Sequence, residues 1–311
     1  MFSYRHAFHA GNHADVLKHA ILVQILDYFN RKEGAYWVID THAGGGLYAL
    51  DGDWAGQSGE VKDGLDRLLA ASEPPALISR YLQAVAAFNP DGQANIYPGS
   101  PCLALQSMRP QDHLRLFELH TTEIEVLQDT LAHLGKKATR HTQVAHEDGF
   151  HGLLRLLPPP PRRGIILIDP PYEDKQDYRH VLTAVREGLQ RFAQGCFAIW
   201  YPQVQRVQAH EMARSLERLP VDWLHASLSV CKPSEDGLGM HGSGMFIVNP
   251  PWTLQAELEE ALPWLAQVLA QDSGARFSLT RGTAAPQGSS RAQGQAPLSE
   301  SPRQKRSPSR R

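Results

Sequence analysis

The chain has 311 residues, 42% of them hydrophobic, and a formal net charge of −2. That apolar content supports one sizeable core and excludes a small scaffold held together by staples. Three cysteines, Cys102, Cys196 and Cys231, in no CxxC spacing, point to reduced thiols rather than a disulfide or metal framework. The amino terminus lacks the basic start and apolar stretch of a signal peptide, and no run approaches the length of a membrane span, so a cytoplasmic protein without a membrane partner is expected.

The amino-terminal string Tyr4-Arg5-His6-Ala7-Phe8-His9-Ala10-Gly11-Asn12-His13 is dense in polar rings. His9 and His13 have the i, i+4 spacing of a helical metal pair, but neither HExxH nor a clustered cysteine or acid completes it, so no metal is expected. Val16 to Phe29 then reads as an amphipathic helix with Val16, Leu17, Ala20, Ile21, Ile25, Leu26 and Phe29 on one broad face.

Strand signals follow at Tyr36–Asp40, Leu114–Leu119, Gly164–Ile168, Cys196–Tyr201, Leu224–Val230 and Gly244–Asn249, with helix-like stretches between most of them. The last two are separated by a Gly-rich segment with no room for a helix, so they should pair as an antiparallel hairpin. An α/β, Rossmann-like, mostly parallel sheet ending in such a hairpin is the layout of class I S-adenosylmethionine-dependent methyltransferases. Residues 47–95 carry helical patterning and exceed one crossover, which predicts a small helical insertion within a folded domain at 1–272.

From Ser273 to Arg311, eight basic residues face one acid, so this segment carries +7 and leaves −9 for the rest. It is rich in Ser, Gly, Pro, Gln and Arg and is read as a basic, disordered tail, 273–311. Its charge serves either solubility or loose, salt-sensitive attraction to RNA phosphates.

The first strand ends in Asp40-Thr41-His42-Ala43-Gly44-Gly45-Gly46. Such a turn is either an ordinary strand-to-helix connection or a close approach to a ligand at the carboxyl edge of the sheet. Glu118, near the end of the second strand, can accept both hydroxyls of a ribose. Asp148, before a helical stretch, either accepts from an adenine amine or caps the helix. In chain order these three features fit an adenosyl-containing cofactor.

The strongest signal is Asp169-Pro170-Pro171-Tyr172 after the apolar run Ile165 to Ile168. An exocyclic base amine is a poor nucleophile because its lone pair is delocalised into the ring. Asp169 and the Pro170 carbonyl can accept its two hydrogens and favour a pyramidal nitrogen through preorganised acceptors. Tyr172 is expected to offer a face for stacking on a base taken out of its helix. The alternative is a Pro-Pro strand stop with a capping Asp. A similar string, Asn249-Pro250-Pro251-Trp252, should be structural, because its strand runs antiparallel and delivers it to the opposite edge.

The amino-terminal string, Asp40 to Gly44 and Asp169 to Tyr172 together resemble the RlmJ family of large-subunit ribosomal RNA adenine-N6 methyltransferases over about residues 1–270. The resemblance implies S-adenosyl-L-methionine as cofactor and one adenine of 23S ribosomal RNA as target. By matching positions, Lys18, His19, His42, Ser100, Glu118, Asp148 and Gly149 would contact the cofactor, Asp169 would act at the target amine, and Tyr4 would approach the substrate nucleotide. Naked RNA and an assembly intermediate both stand open as substrate, and a monomer is expected. Competing readings are methylation of a guanine amine or of DNA adenine, and a noncatalytic RNA-binding protein.

Overall fold

The structure is a computed structural model in which residues 9–50, 60–136 and 139–284 are described. Its centre is an eight-stranded sheet. The strands are β1 (Trp37–Asp40), β4 (His113–Phe117), β5 (Thr142–Ala145), β6 (Gly164–Ile168), β7 (Cys196–Gln203), β8 (Trp223–Ser229), β9 (Gly242–Val248) and β10 (Arg276–Gly282), in the spatial order β10-β8-β9-β7-β6-β1-β4-β5. The strands β5, β4, β1, β6 and β7 are parallel, while β9 runs antiparallel to both β7 and β8. The expected hairpin is therefore present, inserted so that its second arm lies between its first arm and the parallel strands.

The central strands are apolar on both faces because helices cover both. Val38, Ile165 and Leu167 join one core cluster, and their alternating neighbours Ile39, Ile166 and Ile168 join the other. The helices α6 (Gly149–Leu156), α7 (Asp177–Arg191) and α8 (Val207–Leu216) cover the second cluster. On the first face lie α1 (His13–Asn30), α4 (Ser100–Ser107), α5 (Thr121–Leu134) and α9 (Leu254–Val268).

Helix α1 differs from the one-faced helix expected. Every residue from His13 to Leu26 is buried, since α1 lies on β9 with α3 (Ala76–Ala86) and α4 packed on its other sides. Its polar groups therefore need internal partners. The Asn12 side chain caps the helix by accepting from the Ala14 and Asp15 amides, at 2.9 and 3.0 Å, and Gln24 donates to Glu257 at 2.5 Å.

The inserted segment contains a 3₁₀ turn (Glu60–Asp63), α2 (Leu65–Ala70) and α3. It is bracketed by two short strands that helical patterning did not foretell, β2 (Leu47–Ala49) and β3 (Ile96–Pro98), paired antiparallel. This ladder brings the Gly99 amide to the Gly46 carbonyl at 2.7 Å and so returns Ser100 to the end of β1.

One boundary needs correction. The tail expected from residue 273 does not begin there, because Arg276–Gly282 form an edge strand paired along its length with β8. Backbone ladder bonds, rather than large apolar side chains, hold this strand, so composition concealed it. Among the described residues, no helix is long and apolar enough to cross a membrane.

Candidate active site

The parallel strands deliver their loops to one edge of the sheet, where open α/β folds bind ligands. Beyond β1, Asp40 is buried and accepts from the Ser100 hydroxyl at 2.6 Å and the His42 amide at 3.1 Å. Burial pushes its carboxyl up to about 6, against the lowering effect of those two bonds. Gly44 has φ +61°, a conformation that favours glycine, and its amide donates to Glu118 at 2.8 Å. The other Glu118 oxygen accepts from the His120 amide at 2.7 Å, which fixes the carboxylate at the end of β4.

Asp148 caps α6 by accepting from the Phe150 amide at 2.8 Å. The next residue has to be glycine, because a Cβ on Gly149 would stand 2.0 Å from the Thr41 carbonyl oxygen. This close approach presses the start of α6 against the turn after β1. His42 stacks edge-on against Phe150 with centroids 4.9 Å apart, and burial brings its imidazole down to about 4, leaving it neutral at pH 7.

All seven residues expected at the cofactor, Lys18, His19, His42, Ser100, Glu118, Asp148 and Gly149, line one cavity of about 440 Å³ together with Asp169 and Pro170. Its size suits a drug-sized ligand. Glu118 places a carboxylate at the end of β4 beside the left-handed Gly44 turn, and the Gly149 contact sets the start of α6 against the turn after β1, so that all three border the cavity.

Asp169 follows β6 at the same edge. Lys18, from α1, reaches it at 2.5 Å and also holds Asp15 at 2.9 Å, with the Lys18 and Asp15 side chains almost fully buried. Asp15 was not singled out from sequence, although its i, i+3 spacing to Lys18 was a readable cue. His19 bonds the Tyr97 hydroxyl at 2.7 Å, and Tyr97 in turn meets the Tyr81 hydroxyl at 3.0 Å, which ties α1 to the inserted helices.

A second cavity of about 260 Å³ adjoins the first and shares Lys18, Asp169, Pro171 and Glu173 with it; its remaining wall includes His9, Tyr178, Trp200 and Arg206. His9 is paired with Glu60 at 2.9 Å, a bond that raises its basicity.

The stacking face expected of Tyr172 is absent. Tyr172 has φ +54° and is only 2% exposed; its hydroxyl donates to the Trp200 carbonyl at 2.7 Å, and its ring lies 4.6 Å from Tyr178. The left-handed backbone turns the ring beneath the loop, where it anchors the turn and backs the second cavity. Arg206, missed in the sequence, fastens the same turn by donating to the Tyr172 carbonyl at 2.9 Å. Tyr4 lies outside the described residues.

Asn249 also has positive φ, +50°, but β9 carries it to the opposite edge. Its side chain donates to the carbonyls of Ala193 and Gly195 at 2.9 and 2.8 Å, and Trp252 projects outward. The structural reading of this second Pro-Pro string holds.

A mostly parallel sheet with an inserted antiparallel strand, and a cavity at its carboxyl edge beside an Asp-Pro-Pro turn, define a class I S-adenosylmethionine-dependent methyltransferase. Comparison with known proteins narrows the class. The family model described as ribosomal RNA large subunit methyltransferase D, RlmJ, matches residues 33–279, and the chain belongs to this family. It is 43% identical over 266 residues to ribosomal RNA large subunit methyltransferase J of Escherichia coli (strain K12), covering 85% of this chain and 93% of that one. Against the protein of the same name from Haemophilus influenzae, identity is 40% over 273 residues, with 88% and 95% covered. A solved structure from Legionella pneumophila superposes with a TM-score of 0.79 at 32% identity, covering 89% of this chain and 99% of that one.

Proposed function

We propose that the protein methylates the exocyclic N6 amine of one adenine in 23S ribosomal RNA, acting as a monomer. The observation that carries this reading is the placement of Asp169 on the wall shared by two cavities, one suited to the cofactor, which Pro170 also lines, and one to a flat base. The large-subunit ribosomal RNA methyltransferase relatives support the choice of RNA.

Bound S-adenosylmethionine supplies a methyl group made electrophilic by its sulfonium. On this reading Glu118 holds the ribose, Asp148 and Gly149 meet the adenine side, and Lys18, His19, His42 and Ser100 complete the wall. Asp169 and the Pro170 carbonyl accept the two hydrogens of the target amine and draw its lone pair out of conjugation, an effect that grows as charge develops on nitrogen. The Lys18 ammonium orients the Asp169 carboxylate through a charge-assisted bond. The proton leaves afterwards to water or to Asp169, so no covalent intermediate is required.

Nucleoside mass spectrometry after incubation of ribosomal RNA with the protein and methyl-labelled cofactor tests the proposal. Labelled N6-methyladenine in large-subunit RNA is expected. Labelled methylguanine, labelled adenine in a DNA control only, or no product would each replace this reading with a competing one. Offering naked RNA and assembly intermediates in parallel identifies the preferred form.

A further inference from the structure

A third cavity, of about 200 Å³, continues along the same edge of the sheet and shares Pro202 and Val204 with the second cavity. It is built where β7 and β8 end and β10 begins, with Ser229 opposite Arg276 in the ladder. Three basic side chains from separate elements line it: His210 on α8, His241 just before β9, and Arg276 at the head of β10.

This group is electrostatically incomplete. Among the described residues, no carboxylate lies within ion-pair distance of Arg276, His210 or His241. The His210 Nδ1 is engaged with the Arg206 carbonyl at 3.1 Å, whereas the His241 Nδ1 is buried with no protein partner. Burial lowers the basicity of His241, and the neighbouring Arg276 and His210 lower it further. Elsewhere the folded body is net acidic, so a site that draws in a polyanion has to be local. Ser229 Oγ donates to the Gln203 side-chain Oε1 at 2.7 Å, and Phe277, 43% exposed, adds an apolar face beside the basic groups.

We infer that this cavity binds the phosphodiester of a nucleotide next to the target adenine, with Arg276, His210 and His241 facing the phosphate and Phe277 beside the sugar or base. The inference rests on the RNA-methylating function proposed above. Its reason is continuity: a base seated in the second cavity carries its flanking backbone along the edge, and Pro202 and Val204 form the wall between the two seats. Phosphate contacts of this kind position the strand without reading its sequence. The edge strand β10, and with it Arg276, thereby becomes part of the substrate surface.

The test compares Arg276→Glu and Arg276→Lys with the unaltered full-length protein, using an unmodified large-subunit ribosomal RNA transcript. The Glu variant should raise KM for RNA by about tenfold with kcat within about twofold. It should also reduce the slope of log binding constant against log salt by about one, as loss of one phosphate contact does. Arg276→Lys should recover most of the affinity, and His210→Ala, on another element, should shift KM in the same direction as the Glu variant. Cofactor affinity by calorimetry and Tm should stay unchanged throughout. Normal KM and salt slope in both Arg276→Glu and His210→Ala overturn the flanking site alone. An unaltered protein that neither binds nor methylates the transcript overturns the underlying function, and the flanking site with it.

Discussion

Lys18 Nζ lies 2.5 Å from Asp169 Oδ2, joining residues 151 positions apart, and the same ammonium holds Asp15 at 2.9 Å. The contact couples the one helix that runs through the middle of the first face to the turn where the chemistry is proposed. Removing the lysine would leave two poorly solvated carboxylates without the cation they share, and breaking a buried pair in this way costs about 3–5 kcal/mol. Lys18→Met should therefore lower stability in urea unfolding as well as activity.

Asp169→Ala should reduce kcat by about 10² to 10³, the usual loss for one preorganised polar partner of a transition state. Cofactor affinity measured by calorimetry should change by no more than a few fold, since Asp169 borders that cavity without building its ribose end. Loss of cofactor binding in this variant would assign Asp169 to the wrong partner.

Gly149→Ala acts through the backbone. Its new Cβ would stand 2.0 Å from the Thr41 carbonyl oxygen, so α6 has to move away from the turn after β1. Overpacking of this kind costs about 1–3 kcal/mol, and the displaced Asp148 should weaken cofactor binding by at least about tenfold. Unchanged affinity would show that the cofactor does not depend on this junction.

Acidification should expose two opposed contributions. The buried His13 is pushed down from 6.5 to about 4, chiefly by burial. Its folded form resists protonation, so the stability it contributes is full above pH 6.5 and is lost as pH falls toward 4. Asp40 is pushed up from 3.8 to about 6, so its contribution is full below 3.8 and is lost as pH rises through 6. Each shift corresponds to about 3 kcal/mol at the end of its window. In urea titrations, the stability of the unaltered protein relative to His13→Gln should decline from pH 7 to pH 4, while its stability relative to Asp40→Asn should rise. Parallel trends in the two comparisons would contradict the burial argument.

The two Pro-Pro strings should separate cleanly. Asn249→Ala loses two side-chain hydrogen bonds that close the end of β9 and should cost about 1–2 kcal/mol, with kcat unaltered. Trp252→Ala, at a site 80% exposed, should change neither stability nor turnover. A fall in kcat at Asn249 with normal stability would reopen the question of which string is catalytic.

Much of the architecture was legible before any coordinates. The apolar runs ending in Asp40 and Asp169 carry their own local signal, since a strand buried on both faces reads as continuous hydrophobicity. The antiparallel hairpin followed from a connection too short for a crossover, and strand direction alone separated Asp169 from Asn249 as candidates. Short or exposed strands were illegible for the converse reason: β5, β2, β3 and β10 are held by ladder bonds, which leave little trace in side-chain type.

What residue patterns alone brought out, then, is the set of chemical groups along one sheet edge: an Asp-Pro-Pro turn, the Glu118 carboxylate and a glycine turn. Ser100 entered only by resemblance, because its value comes from the β2–β3 ladder that folds it back onto Asp40. Tyr172 was misjudged because the +54° φ that turns its ring inward is set by the packing of Tyr178 and Trp200, and residue type cannot convey it. The pairing of Lys18 with Asp169, and the convergence of His210, His241 and Arg276, depend on bringing distant segments within a few ångströms. Contacts of that range are chosen by the closing of the whole core, and no local pattern encodes them.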